Sequence, residues 1–246
     1  MTDRAYFLSD VHLSLNNDAP EQRRRERLFR LFESIRETGG TLYIVGDFFD
    51  FWFEYKHAVP RYYYDVLAEL RALVTAGVQV HYILGNHDYW TRDFLADVIG
   101  LQIHRQATRF TIGNRQALLS HGDGLLAAER GYRIMRRIIR SRWFVFLYRW
   151  THPDIGIAFA RAISRASRNN QSHYYQDKDA FHEELIRYAE ARWEEGTDLV
   201  VLGHYHLNRL HTSNGGKQLL CLGDWISHFT YGKIVADELT LEFWPE

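Results

Sequence analysis

The sequence predicts an α/β protein, layered around mixed sheets and interrupted by a helical insertion, and three observations predict it. Short apolar runs recur along the chain, each followed by a polar or glycine-containing turn. Amphipathic stretches alternate with these runs through the first 100 residues, the order that strand–helix–strand units require. Between Arg130 and Arg168 the rhythm breaks, and ten arginines stand there against a single acid, Asp154.

Ala5–Leu8 reads as the first strand, and Glu21–Thr38 as a helix with Leu28, Leu31, Phe32 and Ile35 on one face. Thr41–Val45 follows as a strand, Arg61–Ala76 as a helix closed by Gly77, and Val78–Leu84 as a strand. Ala117–Leu119 and Leu199–Leu202 are further apolar strands. Arg130–Arg168 reads as two helices separated by Thr151-His152-Pro153-Asp154, where Pro153 suits a helix start and Thr151 an N-cap. Gln218–Phe243 reads as two or three antiparallel strands with a turn at Asp237-Glu238.

The bulk numbers narrow the function. A chain of 246 residues, 46% hydrophobic and 25% charged, fits one large globular domain, or one domain with an insertion. The basic segment carries about +9 within a net charge of −1, which leaves about −10 on the remainder and calls for an anionic partner beside the insertion. The unbroken apolar run Trp143–Tyr148 is far below the ~20 residues that span a bilayer. The start, Met-Thr-Asp-Arg, lacks the basic and apolar regions of a signal peptide, and the lone Cys221 fits a reducing compartment as a small buried residue. A cytoplasmic protein, soluble or peripheral, is expected.

Five motifs fall after apolar strands: Asp10-Val11-His12, Gly46-Asp47-Phe48-Phe49-Asp50, Gly85-Asn86-His87-Asp88, His121-Gly122-Asp123 and Gly203-His204-Tyr205-His206. Strand ends of one α/β sheet share an edge, so these motifs can converge. Together they offer two aspartates, one asparagine and four histidines, enough for two metal ions sharing a carboxylate. Hydrolysis of a phosphate ester needs a nucleophile at neutral pH and positive charge against the phosphoryl oxygens. Two cations ~3.5–4 Å apart supply both. Nitrogen and oxygen ligands without thiolate suit manganese, iron, cobalt or zinc better than calcium, and the donor set does not choose among those four.

In this order and spacing the motifs resemble the calcineurin-like metallophosphoesterases, over most of the chain outside the insertion. That resemblance implies an αββα sandwich of mixed sheets, a single domain over 1–246 with a helical cap at about 125–175. It also implies the ligand sets. Asp10, His12, Asp47 and His206 would hold one metal; Asp47, Asn86, His121 and His204 would hold the other. His87 would act beside the phosphate, with Asp88 orienting its imidazole, while Asp50 and Asp123 support the loops.

Within that family the arrangement resembles the UDP-2,3-diacylglucosamine diphosphatases of lipid A synthesis. The length, the insertion directly after His121-Gly122-Asp123, and Glu129-Arg130-Gly131-Tyr132 carry the likeness. It implies Asn86, His87, Glu129, Tyr132, Arg165, Ser167 and Arg168 as substrate-binding residues and an acylated sugar nucleotide as substrate. A metal-bridged hydroxide would yield UMP and 2,3-diacylglucosamine 1-phosphate at the cytoplasmic face of the inner membrane. One departure is His87, where a branch of those enzymes has arginine. Ile134, Met135, Ile138, Ile139, Trp143, Phe144, Phe146 and Leu147 are expected to form an apolar groove, the insertion's arginines to meet phosphates or lipid headgroups, and Phe48–Phe53 with Tyr55 to add aromatic surface near the metals. Two other readings are a phosphodiesterase or nuclease using the arginines on a phosphate backbone, and a non-catalytic scaffold. Arginines interleaved with aliphatics speak against nucleic acid, and a full ligand set speaks against a scaffold. No obligate protein partner is expected.

Overall fold

The computed structural model describes residues 4–159 and 178–245. One sheet joins β11 (Glu238–Phe243), β10 (Thr230–Val235), β1 (Ala5–Leu8), β2 (Thr41–Val45), β3 (Gln79–Ile83) and β4 (Gln102–His104) in that order. The other joins β5 (Thr108–Ile112), β6 (Arg115–Ser120), β7 (Leu199–Leu202), β9 (Gln218–Leu222) and β8 (Asn208–Thr212). β1 to β4 pair in parallel, as do β6, β7 and β9, and antiparallel strands close both sheets. Both sheets are therefore mixed, as the sequence predicts.

The two-residue period of a strand sorts the core into layers. Ala5 and Phe7 pack with Tyr43, Val45 and Ile83 against Leu119, Val201 and Leu220, which fill the space between the sheets. Tyr6 and Leu8 share the opposite face with Leu28, Leu31, Phe32 and Ile35 of α1 (Ala19–Thr38) and with α2 (Tyr64–Thr75). Leu185, Ala189 and Trp193 of α6 (Lys178–Glu194) cover the far side of the second sheet, against Val200, Leu202, Leu219 and Cys221. Each fully buried Leu or Phe in these layers contributes roughly 1.5–3 kcal/mol. Cys221 is buried, as expected.

Boundaries shift where local chemistry differs from periodicity. α1 starts at Ala19, ahead of Glu21, because the Asp18 carboxylate accepts from the Glu21 N–H at 3.1 Å and Pro20 fits the first turn. The first insertion helix is two: α3 (Arg130–Ile139) and α4 (Arg142–Arg149), broken where the Ser141 hydroxyl accepts from Phe144 N–H at 3.2 Å. Thr151 does not cap the next helix; its hydroxyl donates to the Tyr148 carbonyl at 2.6 Å and closes α4. α5 then begins at residue 153 and is described to residue 159. The final turn falls one residue early, at Ala236 and Asp237, both with positive φ. β4, β5 and β8 escape the apolar-run criterion because they are short or half exposed.

The aromatic run after Asp47 is corrected. Phe48, Phe49, Phe51, Trp52 and Phe53 are all buried; Phe48 stacks on Phe32 and meets Tyr82 edge-on, while Phe49 and Trp52 pack against Tyr63. These side chains belong to the core cluster that also holds Leu28, Phe32 and Tyr82, and their burial leaves them no surface to offer a substrate. Two of them also seat α4: its Tyr148 ring lies 4.6 Å from Phe53 and 6.5 Å from Phe51.

Candidate metal centre

The parallel strands end at one edge, and the motifs lie there. β1 leads to Asp10, β2 to Asp47, β3 to Asn86 and His87, β6 to His121 and β7 to His204. The chain must turn sharply at each end, and Asp10, His12, Asp47, His204 and His206 all adopt positive φ, from 46° to 66°. Asp and His tolerate this left-handed region better than bulky or branched residues. Gly85 is required for a different reason: a Cβ there would collide with the Asp47 carboxylate and backbone nitrogen.

The seven expected ligands come together. Asp10, His12 and His206 form one group whose candidate ligand atoms lie within 4.8 Å of one another; Asp47, His121 and His204 form another, and His12, Asp47 and His87 a third. Asp47 is thus common to two of them beyond the first. Its Oδ2 is 3.3 Å from His121 Nε2 and 3.8 Å from His12 Nε2, and Asp10 Oδ1 is 3.6 Å from Nε2 of both His12 and His206. Asn86 Oδ1 lies 3.1 Å from His121 Nε2.

The donor set fits cations. Asp10 Oδ1 is buried and has no hydrogen-bond partner among the described residues, a costly state for a carboxylate oxygen unless an ion meets it. Asp10 Oδ2, by contrast, accepts from the Ser9 hydroxyl at 2.6 Å and His204 N–H at 2.8 Å. In His121 and His206 the second nitrogen is tied back, the latter to Asp224 Oδ2 at 3.2 Å. His121 Nδ1 donates to the Val45 carbonyl at 2.9 Å, which leaves Nε2 facing the centre. Burial opposes charge on His121, but the Asp47 carboxylate, aided by Asp10 and Asp123, pushes its pKa up to about 10. Burial likewise opposes ionisation of Asp47, and His121, His87 and His12 outweigh it and hold this carboxyl well below the usual range.

His87 lies at the rim. Nδ1 donates to the Asp50 carbonyl at 2.7 Å, and Nε2 stands 3.9 Å from Asp47 Oδ2. Asp88 does not touch this imidazole, a correction to the expected orienting role. Its Oδ1 accepts from Gly85 N–H at 2.7 Å and its Oδ2 from Phe48 N–H at 2.8 Å and the Tyr82 hydroxyl. Burial first, then the nearby Asp47 charge, raise Asp88 to about 6. Asp88 therefore braces the β2 and β3 loops, and the Asp50 backbone orients His87.

Glu129 and Tyr132 reach the centre. Glu129 Oε1 is 3.3 Å from His204 Nε2, and the Tyr132 hydroxyl donates to Asp123 Oδ2 at 2.9 Å. Arg165, Ser167 and Arg168 lie outside the described residues. Three insertion arginines depart from the expected phosphate or headgroup role. Arg133 donates to the carbonyls of Gly124 and Leu126, while Arg136 and Arg140 each reach Asp123 Oδ2 at 3.0 Å. They fasten α3 to the loop after β6, because a buried carboxylate there demands cations.

Asp224 escaped the sequence reading. Its Oδ2 accepts from His206 Nδ1 at 3.2 Å and His228 Nδ1 at 2.7 Å, and its Oδ1 from the backbone N–H of Ile226, Ser227 and His228. A signal existed: Gly223-Asp224 follows the apolar strand β9 just as Gly46-Asp47 follows β2.

Known proteins resemble this chain. The family described as calcineurin-like phosphoesterase matches residues 4–208. A Porphyromonas gingivalis protein called UDP-2,3-diacylglucosamine hydrolase is 33% identical, with 98% of each chain covered. Proteins of the same description from Xanthomonas campestris and Haemophilus influenzae are 30% and 28% identical; the alignments cover 96% and 92% of this chain and 97% and 92% of theirs. A solved Danio rerio dimetal phosphatase superposes with a TM-score of 0.48 at 13% identity, over 99% of both chains.

Proposed function

The chain belongs to the calcineurin-like phosphoesterase family, and from that premise we propose that it hydrolyses the diphosphate bond of UDP-2,3-diacylglucosamine, releasing UMP and 2,3-diacylglucosamine 1-phosphate. The observation that carries the chemistry is the convergence of separate His and Asp groups on the shared Asp47. The relatives' description, matched along the whole chain, carries the substrate.

Asp10, His12, Asp47 and His206 would hold one divalent cation and Asp47, Asn86, His121 and His204 the other, manganese being the first choice of metal. Bound there, the pair would activate water and neutralise phosphoryl oxygens. The protein's own groups do the rest. Asp47 and Asp10 bring negative charge to the centre, and the Asn86 amide and the imidazoles, neutral once a cation takes the place of the proton that Asp47 favours on His121, would complete it without further negative charge against a diphosphate. His87, its Nδ1–H fixed on the Asp50 carbonyl, faces the centre with Nε2, which would donate a hydrogen bond or proton to a phosphoryl or leaving oxygen when the ring carries both protons. Asn86, Glu129 and Tyr132 line the side from which the sugar approaches.

The insertion, about 125–175 within a single domain, would cover the acyl chains and touch the bilayer surface. α3 and α4 contain no acid. They expose Ile134, Ile138, Trp143, Leu147 and the neighbouring Trp150, the last three at 78%, 64% and 78%. Arg137, Arg142 and Arg149 stand beside them, the composition of a helix face that lies on anionic lipid. Among the described residues no helix is long and apolar enough to cross a membrane.

The test is direct. Purified protein supplied with Mn²⁺ and detergent-dispersed UDP-2,3-diacylglucosamine should release UMP. A preparation that binds metal and cleaves a chromogenic diester, yet leaves this substrate intact, overturns the substrate assignment.

A further inference from the structure

Arg140 belongs to the insertion, at the end of α3, yet its guanidinium lies among the loops of the metal centre. Nη2 donates to the Gly85 carbonyl at 3.2 Å and to Asp123 Oδ2 at 3.0 Å, and the group stacks over the Tyr89 ring at 4.1 Å. Gly85 immediately precedes Asn86 and His87, and Asp123 follows His121 by two residues. One side chain thereby ties the turn after β3 to the turn after β6. Those two turns deliver Asn86 Oδ1 to within 3.1 Å of His121 Nε2.

The neighbouring arginines do not duplicate this bridge. Arg136 bonds the backbone and carboxylate of Asp123, and Arg133 the carbonyls of Gly124 and Leu126, all on one loop. On the other loop, Asp88 holds the Gly85 N–H and Arg140 holds its carbonyl, so both polar groups of this peptide-linked glycine are clamped from opposite sides. The geometry suits arginine in particular. A planar, permanently charged fork can stack on an aromatic face and still donate within its plane, whereas an ammonium offers one compact point of contact.

We propose that Arg140 is a positioning residue for the hydrolysis: the insertion reaches into the centre through it and sets the separation of the two ligand-bearing turns. The cap is then part of the scaffold of the metal site as well as a cover for substrate. This rests on the reading of Asn86 and His121 as ligands of one cation. Outer groups of this kind, when removed, cost about 10–100-fold in metal affinity or activity, because small displacements of a reacting geometry are expensive.

The experiment compares Arg140→Gln and Arg140→Lys with wild type and with Arg30→Gln, which removes an exposed arginine of α1 away from the centre. Each protein is loaded with Mn²⁺ and assayed on the acylated sugar nucleotide and on bis(p-nitrophenyl) phosphate, with metal content and melting temperature measured in parallel. Arg140→Gln should lower kcat ~10–100-fold on both substrates, leave KM for the acylated substrate within about threefold, and retain less Mn²⁺. Arg140→Lys should recover only part of the rate, and it decides the matter if the glutamine variant melts early. Rates within about twofold of wild type on the small diester overturn the proposal, even if KM for the acylated substrate rises, since Arg140 would then serve substrate covering alone. A wild-type protein with neither metal nor activity overturns the dinuclear reading and this proposal with it; an active wild type with an unaffected Arg140→Lys and Arg140→Gln overturns this proposal only.

Discussion

Replacing Asp224 with asparagine tests the metal centre without touching a ligand. Oδ1 of Asp224 accepts three backbone N–H groups, from Ile226, Ser227 and His228 at 2.9, 2.7 and 3.1 Å, so the amide oxygen of an asparagine must occupy that position. Its NH₂ then falls where Oδ2 now accepts from His206 Nδ1 and His228 Nδ1. Two donors would face each other, and His206 can relieve the conflict only by moving its proton to Nε2, the nitrogen 3.6 Å from Asp10 that a cation needs. A charge-assisted hydrogen bond is worth about 1.5–3 kcal/mol, which corresponds to roughly 10–150-fold in affinity. Competition with a fluorescent chelator should therefore show Mn²⁺ bound that much more weakly by Asp224→Asn. Because the backbone contacts of Oδ1 survive, the melting temperature of the metal-free protein should stay within a few degrees of wild type. An affinity within threefold of wild type would refute the argument that this carboxylate selects the imidazole tautomer.

Further outcomes follow from the same coordinates. Asp47→Ala should abolish activity and leave both cation sites depleted by elemental analysis; two metals retained at full occupancy would remove Asp47 from its shared position. His87→Ala should keep its metals and slow turnover by ~10²–10⁴-fold, and an unchanged kcat would place His87 outside the chemistry. Gly85→Ala should lose activity despite its small size, since the added methyl meets the Asp47 carboxylate; full activity would show that the loop yields freely. Finally, His81 is held near pKa 4 by burial and by His104 beside it, against an ordinary value of 6.5. Its neutral form favours the folded state, so that stability is complete above about pH 6.5 and lost as pH falls toward 4. His81→Gln should flatten the decline of melting temperature over that window relative to wild type; parallel curves would exclude the contribution.

What could be read from the sequence was whatever period and punctuation record. The strands β1, β2 and β7 are continuous apolar runs because both their faces are covered, β3 alternates Val80 and Tyr82 with the more exposed Gln79 and His81, and each is punctuated by Gly, Asp or His where the chain leaves the sheet. The site was legible for the same reason, as its residues sit at those exits. β5 and β8 were not, because their alternating half-exposed faces leave no such run. Nor was the break between α3 and α4, which depends on a single serine hydroxyl. Phe48 to Phe53 misled, since an aromatic run beside a ligand reads equally as lining or as core, and only packing decides. The contacts of Asp88 with Phe48 and of Arg140 with Gly85 span 40 and 55 residues, and no local pattern encodes them.

The five left-handed residues at the strand exits carry a consequence for how ions enter. A non-glycine residue in that region costs on the order of 1–2 kcal/mol, and the cost at Asp10, His12, Asp47, His204 and His206 is borne by the packed sheets beneath them. An ion would therefore meet ligand atoms whose directions the packed sheets set, and the spacing of those atoms, more than the softness of any one donor, would choose which ion stays.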